Sequence, residues 1–184
     1  MRLPSAVVPL FDYPVEDILA ALPGPADPLW DVAQFRQHIF KPHSLTRSIV
    51  FNWLDNAWQP GKPFIVLRAD RPPRELTAAV VSCATALENR LGGKVAKLML
   101  AELAPGGVVA EHVDAGAALT RVHRCHVPVV SNKDVDFLVD GERFYLEPGI
   151  AYEFDNTRKH GVHNRSRTPR VHLICDIMPN ELVG

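Results

Sequence analysis

Of the eight histidines in the chain, six fall between residues 112 and 172: His112, His123, His126, His160, His163 and His172. His112 and Asp114 form an H-x-D pair at the end of a strand-like run. On an extended segment, residues two apart project from the same face, so an imidazole and a carboxylate can meet one ion. A third ligand must come from elsewhere in the chain, and His160 and His163 are both available. Two histidines and one carboxylate make up the facial ligand set of the non-haem iron(II) oxygenases. Three protein ligands leave room for a cosubstrate that chelates through two atoms and for dioxygen, which a closed cysteine-rich site does not offer. Taken alone, His112 and Asp114 read equally well as a pair on a surface loop.

Arg170 lies ten residues beyond His160, in the run RVHLICDI. If GVHN and RVHLICDI are neighbouring antiparallel strands, its guanidinium reaches the interior of the fold. That group presents a rigid fork of donors that holds a carboxylate through two parallel hydrogen bonds. A dicarboxylate such as 2-oxoglutarate needs such a clamp at one end while its keto-acid end chelates a metal. An arginine inside an apolar run is costly to bury without an anion; the competing reading is a strand-edge residue with its head in water.

Positioning these groups requires a sheet-rich scaffold. From residue 94 onwards, short runs rich in Val, Leu, Ile and Tyr (94–103, 108–114, 121–130, 135–139, 142–146, 150–154, 161–164 and 170–177) alternate with turns at Pro105-Gly106-Gly107, Asp114-Ala115-Gly116, Asp140-Gly141 and Pro148-Gly149. Eight short strands at about ten-residue intervals predict a sandwich, jelly roll or small barrel, with Asp140-Gly141 as a hairpin turn. The first half reads as helical and irregular. Apolar spacing predicts helices over 15–22, 28–40 and 74–91, the last stopped by Gly92-Gly93. Residues 48–54 and 63–69 read as strands. The chain of 184 residues is therefore predicted to form one domain, residues 1–184, with a helical and irregular part (1–93) before the β core (94–178).

Composition narrows the function classes. Forty-seven per cent of residues are hydrophobic, and 20 basic against 21 acidic side chains leave a net charge of −1 without blocks of like charge. That predicts neither nucleic-acid binding nor an anionic membrane surface. No apolar run approaches a bilayer span, and the proline-broken start MRLPSAVVPLFDYP does not read as a signal peptide. Cys83, Cys125 and Cys175 are odd in number and form no CxxC pair. They are expected to be reduced thiols in a cytoplasmic protein, with Cys125 and Cys175 packed in the interior. Nothing in the residues fixes an oligomeric state.

The segments LAPGGVVAEHVDAG, RCHVPVVSN, FLVDGERFYLEPGIAYEFDNTRKHGVHN and PRVHLICDI, spanning about residues 97–178, resemble the aspartyl/asparaginyl β-hydroxylase family. The resemblance implies a double-stranded β-helix (a jelly-roll, cupin-like core, mainly β with flanking helices) and an Fe(II)- and 2-oxoglutarate-dependent dioxygenase that uses O2 to hydroxylate an unactivated C–H bond. It further implies His112, Asp114 and His160 as the catalytic metal ligands, with His160 preferred to His163 because the family places its arginine ten residues downstream. Arg170 is similar to that arginine, which grips the distal carboxylate of 2-oxoglutarate. Arg124 and His126, in an R-x-H pattern, resemble additional cosubstrate contacts. Ala101 stands where some members carry a hydroxyl that touches the cosubstrate. The implied substrate is a small amino-acid-like molecule or an aspartyl/asparaginyl-type residue in a peptide.

Two other readings remain from the residues. One is a cupin that binds a metal or small ligand without 2-oxoglutarate, which has no use for a buried dicarboxylate clamp at Arg170. The other is a metal-free β-sandwich interaction module. His163 reads as a partly exposed strand residue and His172 as sharing the face of Arg170. Asp155 and Asn156 read as turn formers, and Trp53 as core, on an early strand that can line the barrel opening.

Overall fold

The computed structural model describes residues 3–32, 45–67 and 72–183. Among these residues ten strands and three α-helices follow in chain order: β1 (Val7–Asp12), α1 (Glu16–Ala21), a 3-10 turn (Pro28–Asp31), β2 (Thr46–Trp53), α2 (Arg74–Leu91), β3 (Gly93–Leu103), β4 (Val108–His112), β5 (His123–Val130), β6 (Val135–Val139), β7 (Glu142–Phe144), β8 (Ile150–Phe154), β9 (His160–Asn164), β10 (Arg170–Pro179) and α3 (Asn180–Val183). They form a six-stranded sheet, β1-β8-β5-β10-β3-β2, and a four-stranded sheet, β4-β9-β6-β7, each antiparallel throughout. The fold is mainly β, with a cupin-like double-stranded β-helix at its centre.

The larger sheet buries both faces, and its strands divide their side chains accordingly. Ile49, Leu98, Leu100, Cys125, Val127, Leu173 and Cys175 pack outward against α1 and α2. The buried residues of α2 (Leu76, Val80, Cys83, Ala84 and Leu87) recur at three and four, so one stripe of the helix meets the sheet. Gly92 ends the helix in the left-handed region at φ 69°, where a side chain is disfavoured. The alternate residues of the same strands face the second sheet. At the deep end that face is apolar: Leu103 meets Val109, Val135, Phe137 and Val162. Arg170 stands level with Leu103 on this face, and His172, His126, Asp176 and Arg124 follow farther along it.

Most predicted elements are present. The helix over 74–91 and the strands over 135–139 and 150–154 match at both ends, and the Asp140-Gly141 hairpin joins β6 to β7 with both residues at positive φ, 48° and 79°, as a type I′ turn requires. Four expectations need correction. GVHN and RVHLICDI are not neighbouring strands: β9 pairs with β4 and β6 in the smaller sheet and β10 with β5 and β3 in the larger, so Arg170 reaches the interior across the space between the sheets. Residues 7–12, not predicted as a strand, form β1. Of the segment 63–69, Leu67 pairs with Trp53 in an isolated bridge and 63–66 form no ladder; residues 68–69 lie outside the described residues. The helix predicted over 28–40 is a single 3-10 turn at Pro28–Asp31, and 33–40 lie outside the described residues.

Candidate active site

A cavity opens between the two sheets, lined among others by Trp53, Lys97, Ala101, His112, Asp114, Arg124, His126, His160 and Arg170. One end of it is built on the pairing of β4 with β9. The register sets His112 directly opposite His160, with an irregularity between Val109 and His112 that gives β4 one residue more than its partner. Such a bulge re-aims the side chains beyond it. The two imidazole rings stand 4.4 Å apart between centroids. Each is fixed in the same way: Nδ1 of His112 lies 2.8 Å from the carbonyl of Ala110, and Nδ1 of His160 lies 2.9 Å from that of Arg158. A carbonyl only accepts, so Nδ1 carries the proton in both rings and Nε2 keeps its lone pair.

Asp114 follows β4 in a loop pinned by its own N–H to the carbonyl of Asn156. Its Oδ2 accepts from Arg124 and, at 3.2 Å, from Asn156 Nδ2, while Oδ1 lies 3.8 Å from His112 Nε2. Burial by itself would raise this carboxyl, but the Arg124 guanidinium, helped by His160, Asn156 and His112, overrides it and holds the pKa at about 2. Burial pushes His160 below the ordinary histidine value against the pull of Asp114. Ligand atoms of His112, Asp114 and His160 all lie within 4.8 Å of one another. An ionised carboxylate and two imidazoles so converged can hold a divalent metal ion.

At the other end of the cavity stands Arg170, only 3% exposed. Among the described residues no carboxylate lies within ion-pair distance of it. Nη2 donates to His172 Nδ1 at 2.5 Å and approaches His126 Nδ1 at 3.4 Å; Nε has no partner. Burial alone lowers its pKa to about 9, so the fold holds a charged group in a place that favours its discharge. Phe137 and Phe154 pack edge-on around His126, and Phe154 also meets His160.

The structure thus brings His112, Asp114 and His160 together, and places Arg170 and His126 side by side in the same cavity. Arg124, which the resemblance implies as a cosubstrate contact, also lines the cavity and is ion-paired within the chain. Its Nε and Nη2 donate to the two oxygens of Asp176 at 2.7 Å each, and Nη1 donates to Asp114. Burial works against its charge, but Asp114 and Asp176 outweigh burial and raise its pKa. These donors are directed at carboxylates of the chain itself. His163 is half-buried, opposite Val108 and Asp136, and does not line the cavity. Asn156, read as a turn former, is buried and holds Asp114. Asp176 (0% exposed) and Lys97 were not singled out, although Asp176 shares the strand face of Arg170 six residues on. Lys97 donates to Asn56 and stands 4.2 Å from the centroid of Trp53, so Trp53 lines the cavity as well as packing.

Comparison with known proteins now decides the class. The family described as Aspartyl/Asparaginyl beta-hydroxylase matches residues 48–179. The chain belongs to this family. It is an enzyme, a hydroxylase. The match reaches well in front of the motif-bearing residues, taking in β2, α2 and β3. Among solved structures, an oxidoreductase of the 2OG-Fe(II) oxygenase family from Burkholderia pseudomallei is similar over 90% of each chain at 11% identity, with a TM-score of 0.56. A prolyl-4-hydroxylase from Pseudomonas putida is similar over 95% of this chain and 93% of its own at 13% identity, with a TM-score of 0.51. At these identities the likeness concerns the fold. No curated protein matches the chain in sequence.

Proposed function

We propose that the protein is a dioxygenase in which His112, Asp114 and His160 hold Fe(II) and Arg170 holds the distal carboxylate of 2-oxoglutarate, acting on an amino-acid-like molecule or a peptidyl residue. The observation that carries the proposal is the guanidinium of Arg170, buried without a carboxylate in a cavity whose other end gathers two imidazoles and an ionised carboxylate. A cupin or an interaction module without a dicarboxylate ligand would carry the cost of burying that cation with nothing to offset it.

The chain's residues fit both groups. The ligand atoms are unprotonated where a metal needs them: Nε2 on both histidines, and Oδ1 on Asp114, whose Oδ2 is occupied by Arg124 and Asn156. Bound there with 2-oxoglutarate and dioxygen, Fe(II) supplies the oxidising power to hydroxylate an unactivated C–H bond, releasing succinate and carbon dioxide. The protein's share is positioning. Backbone carbonyls orient both imidazoles, the Asp176–Arg124 pair fixes one edge of Asp114, and Phe137, Phe154 and Ile174 give the cavity apolar walls that limit water. Arg124 is accordingly assigned to the metal-ligating carboxylate, and Arg170 with His126 to the cosubstrate.

Half-buried Trp53 and Asn56, with buried Lys97 beside them, line the cavity and are assigned to the substrate. Three free, buried cysteines fit a reducing compartment such as the cytoplasm, and no helix among the described residues is long and apolar enough to cross a membrane. Succinate release from Fe(II)-loaded protein under air tests the proposal. It is expected to require 2-oxoglutarate and to vanish in His160→Ala, while Arg170→Ala should need far more 2-oxoglutarate. Normal turnover of the His160→Ala variant removes the assigned ligand set.

A further inference from the structure

Three polar side-chain atoms on the barrel-facing side of the large sheet are buried without a partner: Arg170 Nε, His172 Nε2 and Ser48 Oγ. An orphaned buried polar atom destabilises the fold, so three in one neighbourhood call for an explanation. They are neighbours by register. Ser48 on β2 pairs with Ala101 on β3, and Ala101 pairs with His172 on β10; Arg170 stands two residues before His172, on the same face. Ser48 and His172 therefore flank Ala101, one strand to either side. With strands about 4.8 Å apart, their backbones stand roughly 10 Å from each other, and between them only a methyl group rises from the sheet. The cavity reaches this place, since Thr46, Ala101 and Arg170 all line it.

The hydrogen-bond chemistry of the three atoms agrees. A guanidinium only donates, so His172 Nδ1, 2.5 Å from Arg170 Nη2, must accept. The ring is neutral, because burial, Arg170 and His126 all push its pKa well below the ordinary value. Its proton is therefore on Nε2, the orphaned atom. Arg170 Nε is also a donor, and a serine hydroxyl can be one. Three unused donors without an unused acceptor suit a ligand that only accepts, and a carboxylate is such a ligand.

We infer that Ser48 and His172 join Arg170 in binding the distal carboxylate of 2-oxoglutarate, which lies over Ala101 with Ser48 Oγ–H and His172 Nε2–H donating to it. This rests on the proposed use of Arg170. Ser48 is then a positioning and affinity residue supplied by β2, a strand in front of the motif-bearing region.

Calorimetric titration of the anaerobic Fe(II)-loaded protein with two ligands tests it: 2-oxoglutarate, and 2-oxopentanoate, which has the same chain length but no distal carboxylate. Ser48→Ala is expected to weaken 2-oxoglutarate about tenfold, as loss of one hydrogen bond to a charged group does, and to leave 2-oxopentanoate within about twofold. Thermal unfolding of the ligand-free variant should occur at or above the wild-type temperature, because the hydroxyl removed has no partner there. Wild-type affinity for 2-oxoglutarate in Ser48→Ala, equal weakening of both ligands, or a lower melting temperature without ligand overturns the inference. Arg170→Gln separates the two claims. If it loses 2-oxoglutarate affinity while Ser48→Ala does not, only the role of Ser48 falls; if it binds 2-oxoglutarate as the wild type does, the carboxylate does not lie at this end of the barrel and both fall.

Discussion

At the scale of single residues, the site is a set of charges arranged so that each group keeps the protonation state it needs. Asp114 is ionised because Arg124 outweighs its burial, and Arg124 stays in place because Asp176 grips it from behind through both oxygens. Replacing Asp176 with Asn should therefore reach the metal through two intermediaries. Titration with Fe(II) or Mn(II) is expected to show affinity lower by up to about tenfold, the low end of the cost of losing a group that directly holds a metal ligand, because Asp176 acts through Arg124, while 2-oxoglutarate binding at Arg170 is retained. His172 provides a pH dependence. Its pKa in the fold lies well below the ordinary 6.5, so below that pH the unfolded chain takes up a proton that the folded one refuses. Stability is thus full above pH 6.5 and declines as pH falls, by at most about 1.4 kcal/mol per unit from this group. Urea denaturation of the ligand-free protein between pH 7.5 and 5 should show this slope and a shallower one in His172→Gln. The ligand spacing H-x-D and the spacing from His160 to Arg170 were legible in the sequence because each pair falls within one short stretch of chain: Asp114 stands two residues past His112 at the end of β4, and only residues 165–169 separate β9 from β10. Asn156 holding Asp114, Asp176 behind Arg124 and Ser48 beside Ala101 were not, because each is a contact between segments far apart in sequence. For Arg124 this was decisive: the R-x-H pattern fixes its strand and face, whereas only the cross-strand partner shows where its donors go.

At the scale of elements, the register of β4 against β9 sets the distance between the two histidines, and Gly161 permits that register. A β-carbon on Gly161 would lie 2.9 Å from the carbonyl oxygen of Val109, closer than a β-carbon can approach a backbone atom, and a tight 3.1 Å from the amide nitrogen of Glu111. Gly161→Ala is expected to push β9 away from the bulge, lowering both thermal stability and metal affinity. Circular dichroism melts and Mn(II) titration check this, and a variant with unchanged affinity would show that the register tolerates the shift. Helix α2 was legible end to end because its apolar stripe, the prolines before it and the left-handed Gly92 after it agree. Strand β1 was hidden by Pro9, a residue that removes a ladder donor; it is accommodated because β1 lies at the sheet edge and pairs with β8 alone. The segment 63–69 misled in the opposite direction. Its alternation reflects Phe64 and Val66 packing on Trp58 and Leu54 while Ile65 and Leu67 stay exposed, a pattern that needs no ladder.

At the scale of the whole molecule, one sheet is shared between two tasks: its outer face packs on α1 and α2, and its inner face carries the ionisable groups. Metal binding should accordingly stabilise the entire fold. At a metal concentration one hundred times Kd, linkage contributes about 2.7 kcal/mol, equivalent to a rise in Tm of roughly 5–10 °C for a protein of this size. Scanning calorimetry with Mn(II) should show that rise, EDTA should reverse it, and His160→Ala should not show it. The account as a whole depends on one ion and one dicarboxylate sharing the cavity. Anaerobic spectrophotometric titration addresses that most directly. A weak visible charge-transfer band is expected only when Fe(II) and 2-oxoglutarate are both present. It should saturate at one equivalent of iron, be lost in His160→Ala, and require much more 2-oxoglutarate in Arg170→Ala. A band that forms without 2-oxoglutarate, or that survives the loss of His160, would contradict the account.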